Sequence, residues 1–166
     1  SILVTKTDRQ GEFAFKRWPV DKNDWYLFAY KKGFAINGRQ IRGGILQRRK
    51  VPGGQYNDVE IALGRPEKQT IDLTSPDGSA LSNVRAKFSS VGIGSTSGPQ
   101  GVLVTTTTAF DYFGLKPVVS GKQVSIGFLP RHAWVSLQVS CTKFGTQSQF
   151  FDLTHVFREM KLREVG

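Results

Sequence analysis

The stretch Thr7–Phe15 joins a turn signal to a strand signal, and it constrains the fold more than any other part of the sequence. Asp8 can turn its carboxylate onto the backbone amides that follow it, and Gly11 supplies a left-handed backbone position. Phe13 and Phe15 then point to one face, because alternate side chains of an extended segment share a face. The stretch therefore predicts a β-hairpin, which by itself says nothing about chemistry.

Turns and short apolar runs of this kind recur along the whole chain. Its 166 residues include 18 Gly and 7 Pro, and Val, Ser, Thr and Phe are frequent between them. Such a composition favours many short strands joined by turns, and apolar residues at helical spacing are rare. We predict an all-β fold made of tandem small antiparallel β-sandwiches, of the Ig-like or prealbumin-like Greek-key kind, with little or no helix.

Strands are predicted where apolar residues alternate with polar ones or where β-branched residues cluster. For Val156–Arg163, a short helix is the alternative prediction. Loops at 38–55 and 89–101 and the turn Ser75–Ser79 connect strands, and residues around 118–131 form an inserted segment. The predicted extended segments are Trp25–Tyr30, a strand from Phe34, Asp58–Leu63, Gln69–Leu73, Val84–Phe88, Val102–Thr108, Trp134–Cys141, Phe150–Leu153 and Val156–Leu162.

Several segments of the first part recur in the same order in the second part. Val4–Thr7 matches Val104–Thr107, Trp25–Ala29 matches Trp134–Gln138, Lys32–Phe34 matches Lys143–Gly145, and Val59–Leu63 matches Arg158–Leu162. The stretch Gly64–Lys68 is short, polar and proline-containing, as linkers often are. We predict two tandem copies of one small β-sandwich, a partial module at residues 1–66 and a second module at residues 67–166.

Three motifs resemble one known family. They are Thr7-Asp8-x-x-Gly11-x-Phe13, an aromatic-headed strand ending in Lys32-Gly33-Phe34, and the turn and strand Pro76–Val84. They look like the carboxypeptidase regulatory-like, or prealbumin-like (transthyretin-like), sandwich module, and the resemblance covers most of the chain. It implies a seven-stranded, often tandem unit of secreted, periplasmic or cell-surface proteins, with a non-catalytic accessory or adhesion-like role. The implied partners are neighbouring domains of a longer chain or another protein.

Two departures from the family pattern bear on this expectation. The second copy reads Thr108–Gly114 where the family has its Asp-x-x-Gly turn. The first copy lacks the two opening strands, because Ser1 already lies in the third strand. We expect either a piece of a longer array or strands supplied by another chain or segment, since an uncovered sheet edge invites pairing.

The charge of the chain favours anionic partners. The formal net charge is +10, and residues 1–66 contribute about +7 of it, from 13 basic and 6 acidic residues. The basic loop of residues 39–50 could hold a polyanion or a glycan, with aromatic rings stacking on a sugar or a base. A solvated hairpin tip and tryptophans that fill the core are the alternatives. The candidate binding residues are Arg39, Arg42, Arg48, Arg49, Lys50, Trp18, Trp25 and Tyr26.

Motifs for catalysis or metal binding are weak in this sequence. His132 and His155 are the only histidines, and neither belongs to a spaced pair of metal ligands. Leu129–His132 is similar to the Pro/His-rich strand of prealbumin-like non-haem iron dioxygenases, but a second nearby histidine is missing. The single Cys141 falls on the apolar face of a predicted strand and is expected to be a buried thiol. We predict no enzyme activity, no cofactor, no metal and no insertion into a membrane.

Overall fold

In a computed structural model of the chain, the described residues are 2–16, 25–41, 59–93 and 107–164. They contain nine strands and one short helix, which confirms the predicted all-β class. The elements are β1 Trp25–Ala29, β2 Asn37–Ile41, β3 Gln69–Thr74, β4 Arg85–Gly92, α1 Thr108–Phe113, β5 Val118–Ser120, β6 Gln123–Ile126, β7 Trp134–Cys141, β8 Gly145–Asp152 and β9 Glu159–Lys161.

The chain divides into two compact units, one of residues 1–25 and 41–59 and one of residues 26–40 and 60–166. Residues 26–40 thus group with the later part of the chain, whereas the predicted first module extended to residue 66. The tandem repeat and the sandwich arrangement stay predictions.

The first unit contains the predicted turn at Asp8. One oxygen of the Asp8 carboxylate, Oδ1, accepts hydrogen bonds from the backbone amides of Gln10 and Glu12, at 2.9 Å each. Gly11 has a φ of +84°, in the left-handed region that glycine adopts most easily. The rings of Phe13 and Phe15 meet edge to face at 6.2 Å. The turn is confirmed, although residues 2–16 form no regular strand.

The described strands form three sheets. One pairs β1 with β2, a second has the order β5-β6-β3-β9, and the third has the order β4-β7-β8. Strand β3 runs antiparallel to β6, with Gln69 opposite Ile126, and parallel to β9, with Asp72 opposite Glu159. The sequence predicted antiparallel sheets, and the parallel pair of β3 and β9 departs from that prediction.

The buried side chains of the two larger sheets belong to one hydrophobic cluster. Strands β3 and β6 contribute apolar residues such as Ile71 and Val124, and β7 contributes Val135, Leu137 and Val139, all fully buried. This follows from the period of two in a strand, which sends alternate residues of Trp134–Cys141 to one face. Cys141 is 7% exposed in the same cluster, which confirms the expected buried thiol.

The predicted closing strand at Asp58–Leu63 is wrong for residues 59–63, the part that the structure describes. These residues keep an alternating pattern of exposure but belong to no strand. The carbonyls of Glu60 and Ala62 accept hydrogen bonds from the side chains of Arg39 and Asn37. Side-chain donors of β2 therefore satisfy these carbonyls, where a strand would use a backbone partner.

Two other segments differ from the sequence-based prediction. Thr108 begins helix α1, whereas the run Val102–Thr108 was predicted to be extended; residues 102–106 lie outside the described residues. Phe110 is 1% exposed and its ring lies 6.3 Å from that of Phe88, so tertiary packing overrides the β-branched preference here. The inserted segment around 118–131 contains β5 and β6, which pair with each other. At the C-terminus, β9 confirms a strand within Val156–Leu162.

Candidate functional site

Of the binding residues predicted from the sequence, the structure describes three. Trp25 and Tyr26 begin β1, where Trp25 is partly buried and Tyr26 is 41% exposed. Arg39 lies exposed on β2, the strand that pairs with β1. The remaining five, Arg42, Arg48, Arg49, Lys50 and Trp18, lie outside the described residues.

Arg39 is held in place by the segment that follows the undescribed residues 42–58. Its Nη1 donates to the Glu60 carbonyl at 3.3 Å, and the side-chain amide of Asn37, on the same strand, donates to the Ala62 carbonyl at 2.8 Å. Gly38 lies between them, where a Cβ atom would lie 2.7 Å from the ring of Phe28. These contacts hold the strand in place, and the Arg39 guanidinium is exposed on it, where a guanidinium can donate to an anion.

A groove of about 310 Å³ lies beside the C-terminal end of β8, and sequence reasoning did not identify it. Exposed aromatic rings and polar side chains line it together, among them Phe150, Asp152, His155, Phe157, Arg158 and Glu159. Phe150 is 58% exposed and Phe157 is 77% exposed, and neighbouring Val156 is 92% exposed. Clustered exposed apolar residues of this kind mark interaction sites.

The alternation of β8 explains why Phe150 faces solvent. Phe151 points into the core and is 6% exposed, so Phe150 must point to the opposite face. There its ring lies 5.3 Å from the indole of Trp134, tilted by 38°. Gly92 lies directly opposite Trp134 in the β4–β7 ladder, and a Cβ atom at Gly92 would lie 2.0 Å from the indole ring. Trp134 and Phe150 thus form an aromatic surface on β7 and β8.

Hydrogen bonds of the loop between β8 and β9 fix the position of Phe157. Asp152 Oδ1 accepts from the backbone amide of Thr154 at 3.0 Å and from its hydroxyl at 2.7 Å. The Arg158 guanidinium donates to the carbonyls of Leu153 and Thr70, at 2.9 and 3.3 Å. These bonds anchor both ends of the loop, and its apolar tip of Val156 and Phe157 is exposed to solvent.

The groove contains two carboxylates that accept hydrogen bonds. The hydroxyl and the amide of Thr154 lower the pKa of Asp152 below its ordinary value, and the nearby His155 acts in the same direction. His155 Nε2 lies 4.0 Å from Asp152 Oδ2, and the His155 side chain is 75% exposed. Glu159 accepts a hydrogen bond from the Thr74 hydroxyl at 2.9 Å. Each carboxylate keeps acceptor capacity for a ligand.

A second, smaller groove of about 190 Å³ lies near the predicted turn Ser75–Ser79. Asp77 forms an ion pair with Lys143, accepts hydrogen bonds from Ser79, and is exposed, as is Lys143. The hydrogen bond from Lys143 and those from Ser79 lower the pKa of Asp77. The predicted turn Ser75–Ser79 is confirmed, and the buried Cys141 is among the residues that line this groove.

The sequence carried one signal that could have revealed the larger groove. In a strand, two consecutive phenylalanines such as Phe150 and Phe151 cannot both point into the core. The pair Val156-Phe157, placed between His155 and Arg158, is also apolar in a polar loop. If both pairs are interpreted as core residues, the exposure of Phe150 on β8 and of the loop tip is missed.

Comparisons of the chain with protein-family models, with curated proteins and with solved structures found no match. In the described part of the chain, no group of three or more metal-ligating side chains lies close enough to hold a metal ion. The helix found there, α1, is six residues long, and nothing helical in those ranges has the length and hydrophobicity of a membrane span.

Proposed function

We propose that this chain is a non-catalytic β-sandwich interaction module of a larger secreted, periplasmic or cell-surface protein. The observation that carries the proposal is the exposed aromatic surface of Phe150 and Phe157 beside β8. Leaving such rings in water forgoes the free energy of burial, about 25 cal/mol per Å² of apolar surface. A partner that covers these rings recovers that free energy on binding.

The chemistry of the groove favours binding over acid catalysis. A general acid or base works best when its pKa lies near the working pH, and the pKa of Asp152 is displaced away from neutrality by Thr154. The hydrogen bonds that lower this pKa also fix the position of the carboxylate. Asp152 is therefore suited to accept hydrogen bonds from a ligand at neutral pH.

Site-specific photo-crosslinking in the cells that make the protein tests this proposal. A photoreactive phenylalanine analogue replaces Phe157 in the groove or, as the matched control, Tyr112, which is 52% exposed on α1. One reproducible cross-linked partner from position 157, absent from position 112, is the expected result. Equal cross-linking from both positions, or none from position 157, overturns the proposal.

A second candidate function, binding of an acidic polymer or glycan by the basic loop, is favoured by Arg39. Its exposed guanidinium and the exposed ring of Tyr26 lie on paired strands. Retention on heparin that weakens steadily between about 0.15 M and about 1 M NaCl, and that drops in an Arg39→Ala variant, is expected. No retention at low salt, or retention unchanged by Arg39→Ala, contradicts this candidate. Arg158→Ala is not a suitable control, because it removes the hydrogen bonds that hold the loop between β8 and β9. Lys87→Ala is the control, because Lys87 is exposed on β4 and the substitution removes the same charge.

A further inference from the structure

The groove beside β8 offers two kinds of surface to one ligand. Phe150, backed by Trp134 at 5.3 Å, presents an aromatic face, and Phe157 presents a second one from the loop. Asp152 lies on the same face of the sheet as Phe150, two residues further along β8, and opposite Trp134 in the ladder. A ligand that reaches both must be apolar on one face and carry hydrogen-bond donors at its rim.

Asp152 has one carboxylate oxygen available for such a donor. Its Oδ1 accepts both hydrogen bonds from Thr154, while Oδ2 points towards His155 Nε2 at 4.0 Å, beyond hydrogen-bond distance. His155 is exposed and can donate or accept at the same rim. The free oxygen and the imidazole together match a hydroxyl group.

The charges of the groove argue against an anionic ligand. Asp152 and Glu159 are both acidic, and the Arg158 guanidinium, whose Nη atoms donate to the carbonyls of Thr70 and Leu153, supplies one positive charge against these two. A neutral ligand is not repelled by these carboxylates.

We infer that this groove binds a neutral oligosaccharide, with the C–H face of one sugar ring stacked on Phe150 and a sugar hydroxyl donating to Asp152. The volume of about 310 Å³ is at the lower end of the range of about 300–1,000 Å³ for small-molecule sites, which suits a short oligosaccharide. Aromatic rings provide large apolar area with little loss of conformational entropy, and the fixed carboxylate orients the sugar. The inference rests on the proposal that the groove is a binding surface.

Titration of the full chain with neutral oligosaccharides tests the inference, using cello-, malto-, xylo- and chito-hexaoses followed by amide NMR shifts. We expect at least one of them to bind, with shifts concentrated at residues 149–159 and an affinity that is the same at about 0.15 M and about 1 M NaCl. Phe150→Ala is expected to weaken binding about tenfold or more, and Asp152→Asn several-fold. Tyr112→Ala is the control and leaves binding unchanged. Phe150 and Tyr112 are both exposed, so replacing either by alanine is expected to keep the fold. The amide spectrum of each variant verifies this.

Three results overturn the inference. Binding of none of the four sugars does so, as does binding that Phe150→Ala and Asp152→Asn leave unchanged. Binding that is lost at high salt and mapped around Arg39 would assign the glycan to the basic strand pair instead. A cross-link from position 157 to a protein, without sugar binding, would refute the oligosaccharide and leave the interaction-module proposal standing; absence of both would refute both.

Discussion

The side-chain amide of Gln147 pairs with both main-chain groups of Arg163. Its Oε1 accepts from the Arg163 amide at 2.9 Å, and its Nε2 donates to the Arg163 carbonyl at 2.7 Å and to the Phe144 carbonyl at 2.9 Å. One side chain thus connects β8 to the segment after β9 as a backbone ladder would.

Replacing Gln147 by alanine removes these three hydrogen bonds. We expect a loss of about 2 kcal/mol in the free energy of unfolding, since each bond contributes about 0.5–1.5 kcal/mol. Gln147→Glu is expected to be worse, because a carboxylate cannot donate to the two carbonyls. Urea denaturation measures both. Gln149→Ala, which removes a single bond of 3.3 Å to Glu159, is the control and should cost less; equal losses would contradict the role given to Gln147.

Gly92 is expected to tolerate no larger residue. A Cβ atom at this position would lie 2.0 Å from the indole of Trp134, so Gly92→Ala forces the ring or the strand to move. We expect a destabilisation of about 1–3 kcal/mol, as for other overpacked sites. Gly64→Ala is the matched control, because a Cβ there meets open space and neither glycine has a positive φ. Thermal unfolding compares the two; an unchanged midpoint for Gly92→Ala would show that Trp134 is not fixed on β4.

Gln69, on β3, is a buried polar side chain whose amide group lacks hydrogen-bond partners. It is 2% exposed, and neither its Nε2 nor its Oε1 has a hydrogen-bond partner. Because an unsatisfied buried amide costs about 1–3 kcal/mol, Gln69→Met, similar in shape, should raise the free energy of unfolding by about 1 kcal/mol. Gln123→Met, at an exposed residue that donates to Asp72, should give no gain. A clear loss of stability in Gln69→Met would mean that the amide has a partner in solution.

The ion pair between Asp77 and Lys143 makes stability depend on pH in the acid range. Lys143 first and Ser79 second lower the pKa of Asp77, so the folded state holds the carboxylate ionised more strongly than the unfolded chain, where the pKa is about 3.9. The stabilisation is therefore present above about pH 4 and is lost as the pH falls through the lower folded pKa. Lys143→Ala should raise the pKa of Asp77, as measured by carboxyl NMR titration. Lys87→Ala is the control, and about 1 M NaCl should reduce the difference because both groups are exposed.

Residue patterns predict the central strands of this fold well. Apolar and polar residues alternate from Val135 to Cys141, and Trp134–Cys141 forms β7 with the predicted bounds. For β8, the sequence predicted only the end of the strand. Its first part, Gly145–Gln149, is polar and is extended because it pairs with β7, and a local sequence pattern cannot show such pairing. Residues 59–63 were predicted to form a strand because their apolar and polar residues alternate, but they form none. Side chains of β2 donate hydrogen bonds to the carbonyls of Glu60 and Ala62.

The candidate site was harder to predict than the fold. Arg39 and Tyr26 were identified from charge and aromatic content, and both are exposed. The groove depends on which of Phe150 and Phe151 faces the core, and on a loop whose tip is exposed by bonds to Thr154 and Arg158. Register and loop anchoring arise from contacts between residues far apart in the sequence, so local composition could not reveal them.

The parallel pairing of β3 with β9 also affects how the chain folds. The Thr74 hydroxyl donates to a Glu159 carboxylate that follows 85 residues later. Because the loop between two such strands must close before their contacts can form, pairing at this separation is slow. During synthesis, β3 must keep the side that pairs with β9 unpaired until residues 159–161 have been made. In that interval its backbone can pair with a strand of another molecule, which makes β3 the place where we expect misassembly to begin.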